Sequence, residues 1–477
     1  MVAKGRLNTG VRMFANRKFV FEIDVGDIGM DDTMFPTPLM LSQAETETVM
    51  ERKLKSISGK TVEWNVSASK TSQDEAGVTA VLKKEDGSEE KVRTKYVVGC
   101  DGAHSVVRKE AGLKFEGDAY PQDFVLGDVK LSWEEKDCLT IFMGSYGFMG
   151  AFPMKDGIYR LICNRTSSSS ADDEPTLKDF EETIKALGPV TGKMEISDPV
   201  WMTRFRLHHR IAQDYRAGRL FLAGDAAHIH SPAGGQGMNT GIQDSVNLAW
   251  KLAIAIHPST QPHLNSGTLL DSYNIERHKV GENLLKGTDR LFEFMATKNW
   301  FYLWVRNWLV PWIVPWVMKS RERRAERFRF ITMLGIRYRG SAVVGEAVGW
   351  RGKLRAGDRA PDGKLKGVEG DVTMHDLLKK LRYHLVLFSG VDSSVVGGKE
   401  LDAVVDDFEK DGNESVKIHK ILSTSSTSGS SYIDNDGKVH RFFGMKDSGY
   451  ALVRPDGHIE FIGQLNAMDE LKAWMKM

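Results

Sequence analysis

The sequence predicts an α/β fold with α+β features, spread over several domains, and three observations predict it. Residues 218–244 (GRLFLAGDAAHIHSPAGGQGMNTGIQD) pass from a short apolar strand, through a turn of small residues, into a helix start. Residues 109–213 alternate short strand patterns with one amphipathic helix. From Gly345 the character changes again, and Gly357-Asp358-Arg359-Ala360-Pro361-Asp362 opens a further set of strands. A chain of 477 residues has room for about two to four domains with sizeable cores.

Composition narrows the function classes. Lys and Arg number 65 against 64 Asp and Glu, a net charge of +1, so no nucleic acid or other polyelectrolyte partner is implied. The three cysteines, Cys100, Cys138 and Cys163, are far apart and form no CxxC. That usage fits a reducing compartment, the cytoplasm, and no metal cluster. MVAKGRLNTG at the front has no apolar signal core.

Along the chain, residues 18–23 carry Phe19, Val20, Phe21 and Ile23 and read as a short extended segment. Ser42-Gln43-Ala44-Glu45 has the spacing of a capping box, opening a helix with Val49, Met50 and Leu54. Residues 61–84 and 91–98 read as hairpin strands about the turn Glu85-Asp86-Gly87. A buried strand at 96–100 then ends in Asp101-Gly102, and a helix through Arg108 follows. Between 109 and 213 the strand patterns fall at 124–129, 139–142 and 159–162, the helix at 177–187, and Ser167–Ser170 with the acidic 172–174 read as a solvated loop. No catalytic constellation stands out in this part.

In the opening motif, residues 219–223 form the strand and Gly224-Asp225 places a carboxylate at its end. Pro232 shapes the turn, and Gly234, Gly235, Gly237 and Gly241 let backbone pass close to a flat ligand. Asn239 or Thr240 is expected to cap the helix that carries Leu248, Trp250 and Leu252, and the free N–H groups of that helix end favour negative charge. His208-His209 and His228-x-His230 invite a metal, but Asp225 is the only carboxylate near the second pair and no cysteines join them, so none is expected. Residues 270–295 are helical, with Tyr273, Glu276 and Arg277 expected in a helix–helix contact.

Trp300, Trp304, Trp308, Trp312 and Trp316 recur every four residues. The stripe is expected to pack against another domain or subunit, with contact to a membrane surface as the alternative. Arg306, Pro311 and Pro315 interrupt it, so no integral span is expected. Beyond Gly345 come Leu377-Leu378, strands at 384–389 and 416–421, a Ser/Thr-rich loop at 423–431, and Tyr450-Ala451-Leu452-Val453-Arg454-Pro455-Asp456-Gly457.

The run GDAAHxxxPxxGQGxNxGxxD at 224–244, with DGxxSxVR at 101–108, resembles the second flavin motif and the DG motif of the FAD-dependent aromatic hydroxylases, the phenol and para-hydroxybenzoate hydroxylase class. Tyr273-x-x-Glu276-Arg277 resembles a further segment of that family, and the region after Gly345 resembles the thioredoxin-like C-terminal domain of the phenol hydroxylase branch. Without CxxC that domain would do no disulfide chemistry. The resemblance implies an FAD-binding Rossmann-like domain in two parts, residues 1–108 and 214–340, an inserted substrate-binding sheet domain at 109–213, and the thioredoxin-like domain at 345–477. By analogy the last is where homodimer contacts would form.

The same resemblance implies FAD as cofactor, NADPH or NADH as co-substrate, and hydroxylation of a small phenolic or other aromatic substrate with O₂. Asp225 would meet the ribityl hydroxyls. Gly237, Met238 and Asn239 would offer backbone N–H groups to the N1/O2 edge of the flavin, and Pro232 would stand beside its reactive face. Gly224 and Gly235 belong to the same cradle. Gln43 would touch the ribityl or phosphate portion, Asp101 would lie near the pyrophosphate, and Arg108 would act by charge. No catalytic acid or base is implied.

One part of the family pattern is missing. The family opens on a strand and GxGxxG that set the FAD pyrophosphate on a helix N-terminus. Here the only GxG is Gly235-Gln236-Gly237, so the expectation is an N-terminally truncated domain lacking its first βαβ unit. Two or three charge-assisted bonds to phosphate would go with it, at roughly 1.5–3 kcal/mol each. Two other readings therefore stand beside the monooxygenase: a catalytically inactive paralogue acting as a binding or interaction protein, and a flavin-dependent reductase or oxidase.

Overall fold

The computed structural model describes residues 1–24, 28–133, 138–164, 174–190, 193–231, 235–257, 265–296, 300–317, 319–391, 397–410, 416–423 and 431–476. The largest sheet is built mainly from the 109–213 segment. Its order from one edge is His228–Ile229, Glu195–Ala212, Phe115–Ser132, Ile158–Asn164, Gly147–Pro153, Leu139–Gly144, Gly10–Ala15 and Lys18–Asp24. Every neighbouring pair is antiparallel except Gly10–Ala15 against Leu139–Gly144, which runs parallel. The extended segment at 18–23 is thus one arm of a hairpin. The hairpin pairs with the inserted sheet and not with the rest of residues 1–108.

The alternation expected of a half-buried sheet is visible in Ile158–Asn164, where Tyr159, Leu161 and Cys163 face the core. The helix Leu177–Leu187 covers that face with Phe180, Thr183 and Leu187. Gly127 makes room for it, since a Cβ there would stand 2.7 Å from Cζ of Phe180. Ser167–Ser170 and residues 172–173 lie outside the described residues, as do 424–430 of the Ser/Thr-rich loop.

The hairpin expected over 61–98 is a three-stranded antiparallel sheet of Val66–Gln73, Val78–Lys84 and Glu89–Thr94. The extra turn sits at Asp74, whose Oδ1 accepts from the N–H groups of Ala76 (2.8 Å) and Gly77 (3.0 Å). Val97–Gly99 leaves that sheet and pairs in parallel with Leu220–Leu222, so the strands that precede the two motifs lie side by side.

The C-terminal sheet has the order Gly345–Glu346, Ile459–Gln464, Gly449–Val453, Tyr383–Phe388, Val416–Leu422, Tyr432–Ile433, Lys364–Gly367, Gly370–Thr373. All six residues of Tyr383–Phe388 are buried, as the central position requires. Leu377 closes the short helix Met374–Leu377, with Leu378 as its C-cap. One core runs from this sheet into the helices Gly237–Ile256 and Ser266–Ala296, joining Leu385, Leu387, Tyr450 and Leu452 to Trp250, Ile254 and Leu269.

The tryptophan stripe is not packed against another domain of this chain among the described residues. It forms the helices Trp300–Trp304 and Val310–Val317, joined by a wider π-helical turn at Val305–Leu309. Trp304, Trp308, Trp312 and Trp316 are all exposed instead of packed against the rest of the chain. The side chain of Trp300 is outside the described residues. Among the described residues no helix is long and apolar enough to cross a membrane.

Candidate functional site

The strand Leu220–Leu222 is buried along its length and ends in a tight turn at Gly224–Ala226, where the Ala227 N–H donates to the Gly224 carbonyl at 2.8 Å. Gly224 has φ +60°, a conformation that costs other residues energy. The turn lies directly against the helix Gly237–Ile256. A Cβ on Gly241 would sit 3.2 Å from the Cα of Gly224, so the paired glycines set how closely turn and helix approach.

The helix begins earlier than expected. Its N-cap is Gln236, and no side chain caps it. Asn239 and Thr240, expected as caps, lie inside the first turn, and the Thr240 hydroxyl donates to the Gln236 carbonyl at 2.8 Å. The cause is the anchoring of buried Gln236, whose amide donates to the carbonyls of Phe330 (3.2 Å) and Ile331 (2.8 Å). The result is a helix of 20 residues that presents its first N–H groups without a side-chain partner.

Asp244, the last residue of the motif, holds the arrangement together from one turn deeper. Its Oδ2 accepts from the Gly224 N–H (3.0 Å) and His228 Nε2 (2.9 Å), and its Oδ1 accepts from Arg277 Nε (2.6 Å). Burial works to raise this carboxyl, but the Arg277 guanidinium and the two donors prevail and hold it below its ordinary range. Arg277 also donates to the Thr240 carbonyl (3.2 Å) and the Tyr338 hydroxyl (3.0 Å). The motif's turn and helix are therefore clamped by one buried ion pair.

The neighbouring Glu276 faces the C-terminal region. Its carboxylate accepts from Lys251 (2.8 Å), Asn247 (2.7 Å) and both terminal nitrogens of Arg454 (2.7 and 3.1 Å), all of them buried. Arg454 is held in turn by Asp456, from the Arg454-Pro455-Asp456-Gly457 segment. Burial tends to raise Glu276, but Arg454 and Lys251 outweigh it and take the carboxyl from 4.5 to about 2. The helix–helix contact expected here is made by Glu276 with Asn247 and Lys251 and by Arg277 with Asp244 and Thr240 of Gly237–Ile256, whereas Tyr273 reaches the strand, its hydroxyl donating to the Leu222 carbonyl at 2.6 Å. The two charges reach further than that, one to the motif and the other to the C-terminal sheet. The clustering of Asp244, Lys251, Glu276 and Arg454 leaves no local trace in the sequence, because its members come from two helices and from the turn after the strand Gly449–Val453.

The second motif is joined to the first. Ala223 N–H donates to the Gly99 carbonyl at 3.0 Å. Buried Arg108 donates to the Ala226 carbonyl (2.8 Å) and the Ala103 carbonyl (2.7 Å), and its guanidinium lies 3.8 Å from the centre of the Phe115 ring. Asp101 accepts from the N–H groups of Val106 (2.7 Å) and Val107 (3.2 Å), and Ser105 caps Arg108 N–H, so the carboxylate supports the start of the helix Val106–Glu110.

Gln43 stands apart. It opens the helix Gln43–Ser58, where Ser42 Oγ accepts from Glu45 N–H at 3.2 Å. The Glu45 side chain turns to Lys4 instead of closing a capping box, and the Gln43 amide donates to Glu47 (2.8 Å). Met50 and Leu54 of this helix are exposed.

Asp225, Gly235, Met238 and Asn239 are exposed on the rim formed by turn and helix start, and Asp101 and Gln43 are exposed too. Pro232 and Gly234 lie outside the described residues. His228 and His230 stack with ring centroids 6.3 Å apart but serve different partners, Asp244 and the Ser231 carbonyl. Burial pushes His230 below its ordinary 6.5, so it stands neutral beside Gly237. His230 Nε2 and Ser231 Oγ are buried with no partner among the described residues. An uncapped helix start, a glycine-paired turn and two orphaned polar atoms suit a flat ligand that carries negative charge or acceptor oxygens, as a flavin does.

A family model described as "FAD binding domain" matches residues 2–288. The chain is similar to the 6-methylpretetramide 4-monooxygenase of Streptomyces rimosus, 30% identical over 99% of this chain and 82% of that protein. It is also similar to the pentachlorophenol 4-monooxygenase of Sphingobium chlorophenolicum, 28% identical over 98% of this chain and 85% of the other. Among solved structures, an aromatic hydroxylase from angucycline biosynthesis aligns with a TM-score of 0.71 at 26% identity, covering 100% of this chain and 87% of its own. A flavin-dependent monooxygenase crystallised with FAD and substrate shares the fold, with a TM-score of 0.74 at 20% identity over 98% of this chain and 86% of that one.

Proposed function

The chain belongs to the FAD binding domain family and is a flavin-dependent aromatic monooxygenase, and from that premise we propose how its residues divide the work. FAD, when bound, supplies the redox and oxygen chemistry, and NAD(P)H use is typical of the family. The substrate we assign is a phenolic or fused-ring aromatic compound, a reading supported by relatives named for a chlorinated phenol and a pretetramide.

In this reading the N–H groups of Gly237, Met238 and Asn239 receive the N1/O2 edge of the flavin, where the helix dipole favours negative charge. Asp225, at the end of the Gly224 turn, takes the ribityl hydroxyls, and Gly235 gives backbone room beside it. Pro232, outside the described residues, would bound the reactive face. Asp101 and Arg108 act through the loops they hold, Asp101 by setting the helix start and Arg108 by tying the two motifs. Gln43 is the reader of the ribityl or phosphate portion. The domains follow as an FAD-binding part at 1–108 and 214–340, a substrate sheet at 109–213 and a thioredoxin-like part at 345–477. A cytoplasmic homodimer completes the reading, in keeping with three free cysteines.

The single observation that carries this proposal is the uncapped start of Gly237–Ile256 held against the Gly224 turn by Asp244. Its test is titration of the purified chain with FAD, followed by flavin fluorescence quenching. Stoichiometric uptake is expected, and protein that stays colourless at saturating FAD would overturn it. NADPH consumption that depends on an added phenol and yields hydroxylated product marks a monooxygenase. Consumption without product marks a reductase or oxidase.

A further inference from the structure

We infer that residues 301–317 and 319–331 form a surface that docks on an anionic phospholipid membrane. The apolar half of the surface is the tryptophan stripe. Trp304, Trp308, Trp312 and Trp316 are 51%, 66%, 79% and 63% exposed, and Leu309 and Ile313 between them are also exposed. Steps of four residues make successive tryptophans neighbours on a helix surface. Scattered exposed apolar residues are ordinary on a folded protein, but a run of this kind marks an interaction site.

Residue type and charge select the occupant. Tryptophan pairs an apolar body with one N–H donor, and it concentrates at the depth of lipid headgroups. The helix that follows, Arg321–Ile331, is basic. Lys319, Arg321, Arg323, Arg324, Arg327 and Arg329 stand against Glu322 and Glu326, in a chain whose overall net charge is only +1. Arg321 and Arg329 pair with Asp31 (3.1 Å) and Asp32 (2.5 Å), while Lys319, Arg323 and Arg327 are exposed. The Arg323 guanidinium lies 5.3 Å from the Trp316 ring, so cationic and aromatic parts meet in one surface. Apolar insertion together with cationic attraction is the pairing that holds interfacial helices on anionic lipid. Arg306, Pro311 and Pro315 interrupt the run, and among the described residues no helix is long and apolar enough to cross a membrane, so in this inference the stripe lies along the bilayer. A second copy on a two-fold axis would instead set two basic helices close to each other, which like charge opposes.

The surface is mechanically connected to the candidate site. The carbonyls of Phe330 and Ile331, at the end of the basic helix, hold Gln236 and with it the start of Gly237–Ile256. Docking would bring that site close to a lipid phase in which apolar aromatic compounds concentrate.

The test is flotation of the full chain with vesicles of phosphatidylcholine alone and of phosphatidylcholine mixed with phosphatidylserine. The expected result is flotation with the mixed vesicles, a blue shift of tryptophan emission, and loss of binding as salt rises. A Trp308→Ser/Trp312→Ser variant should partition about tenfold less or worse. Arg323→Gln/Arg327→Gln should lose about fivefold per charge removed. Absence of wild-type flotation overturns the inference, as does equal binding to both vesicle types. Equally decisive would be a wild-type dimer that the tryptophan variant converts to monomer without any vesicle binding, since a second copy would then cover the face.

Discussion

At the scale of single residues, the candidate site depends on contacts that no one-residue chemistry announces. Gly241 is the sharpest case. An alanine in a helix interior gains about 1 kcal/mol over glycine in propensity. Its Cβ at Gly241 would meet the Gly224 backbone at 3.2 Å, and relieving such crowding costs about 1–3 kcal/mol. Gly241→Ala is therefore expected to be neutral to about 2 kcal/mol destabilising, lowering the melting temperature by no more than a few degrees while the turn retreats from the helix. FAD affinity should fall about tenfold, the worth of one good hydrogen bond to a charged group. Calorimetric melting and a fluorescence titration on the same sample check both halves. Glycine spacing in 234–241 signalled a close approach, but not that the approach is between Gly224 and Gly241. That pairing joins positions 17 apart in a turn and a helix, and only their packing reveals it.

At the scale of elements, Asp101 separates two explanations of the DG motif. Its carboxylate accepts two N–H groups at the start of Val106–Glu110, so it works as a cap as well as a charge. Asparagine caps as well as aspartate, whereas alanine does not. Asp101→Asn should keep the melting temperature, and Asp101→Ala should lose about 1 kcal/mol of stability. If both slow NADPH-driven flavin reduction equally, the charge carries the motif's function; if only the alanine variant does, the cap carries it. The strand–turn–helix order and the bounds of Leu177–Leu187 could be read from the sequence, because burial follows the period of the hydrophobic pattern there. The hairpin around residue 86 was half legible. The turn at Asp74 uses an aspartate side chain where no Asp-Gly or Asn-Gly pair marks it. The N-terminal hairpin's place in the large sheet was not legible, since pairing between residues 10–15 and 139–144 leaves no local trace.

At the scale of the whole molecule, the charges of Glu276, Arg454, Lys251 and Asp456 join the helical region to the C-terminal sheet. The Glu276 carboxyl is depressed from 4.5 to about 2, mainly against burial and through Arg454 and Lys251. A depressed acid stabilises the fold fully above its ordinary value and loses that contribution as pH falls toward the folded one. Asp456 is held well below 3.8 as well, by Arg454 and His458 against burial, so both act in the same direction. The contribution of these two carboxyls should therefore be full above about pH 5 and decline steadily from about pH 4.5 to 2, with the junction opening first. Melting temperatures across that range would show it, and a profile flat down to pH 3 would refute it. The parallel strand pair Gly10–Ala15 and Leu139–Gly144 has a consequence for how the protein is made. The hairpin ending at Asp24 leaves the ribosome roughly 115 residues before its partner strand begins, a delay of roughly 6–23 s at ordinary translation rates of roughly 5–20 residues per second. Throughout that interval an edge lined by Val11, Met13 and Phe14 has no sheet to join. The cost of this topology therefore falls on the nascent chain, and chaperone supply and translation speed would govern yield more than the stability of the finished fold.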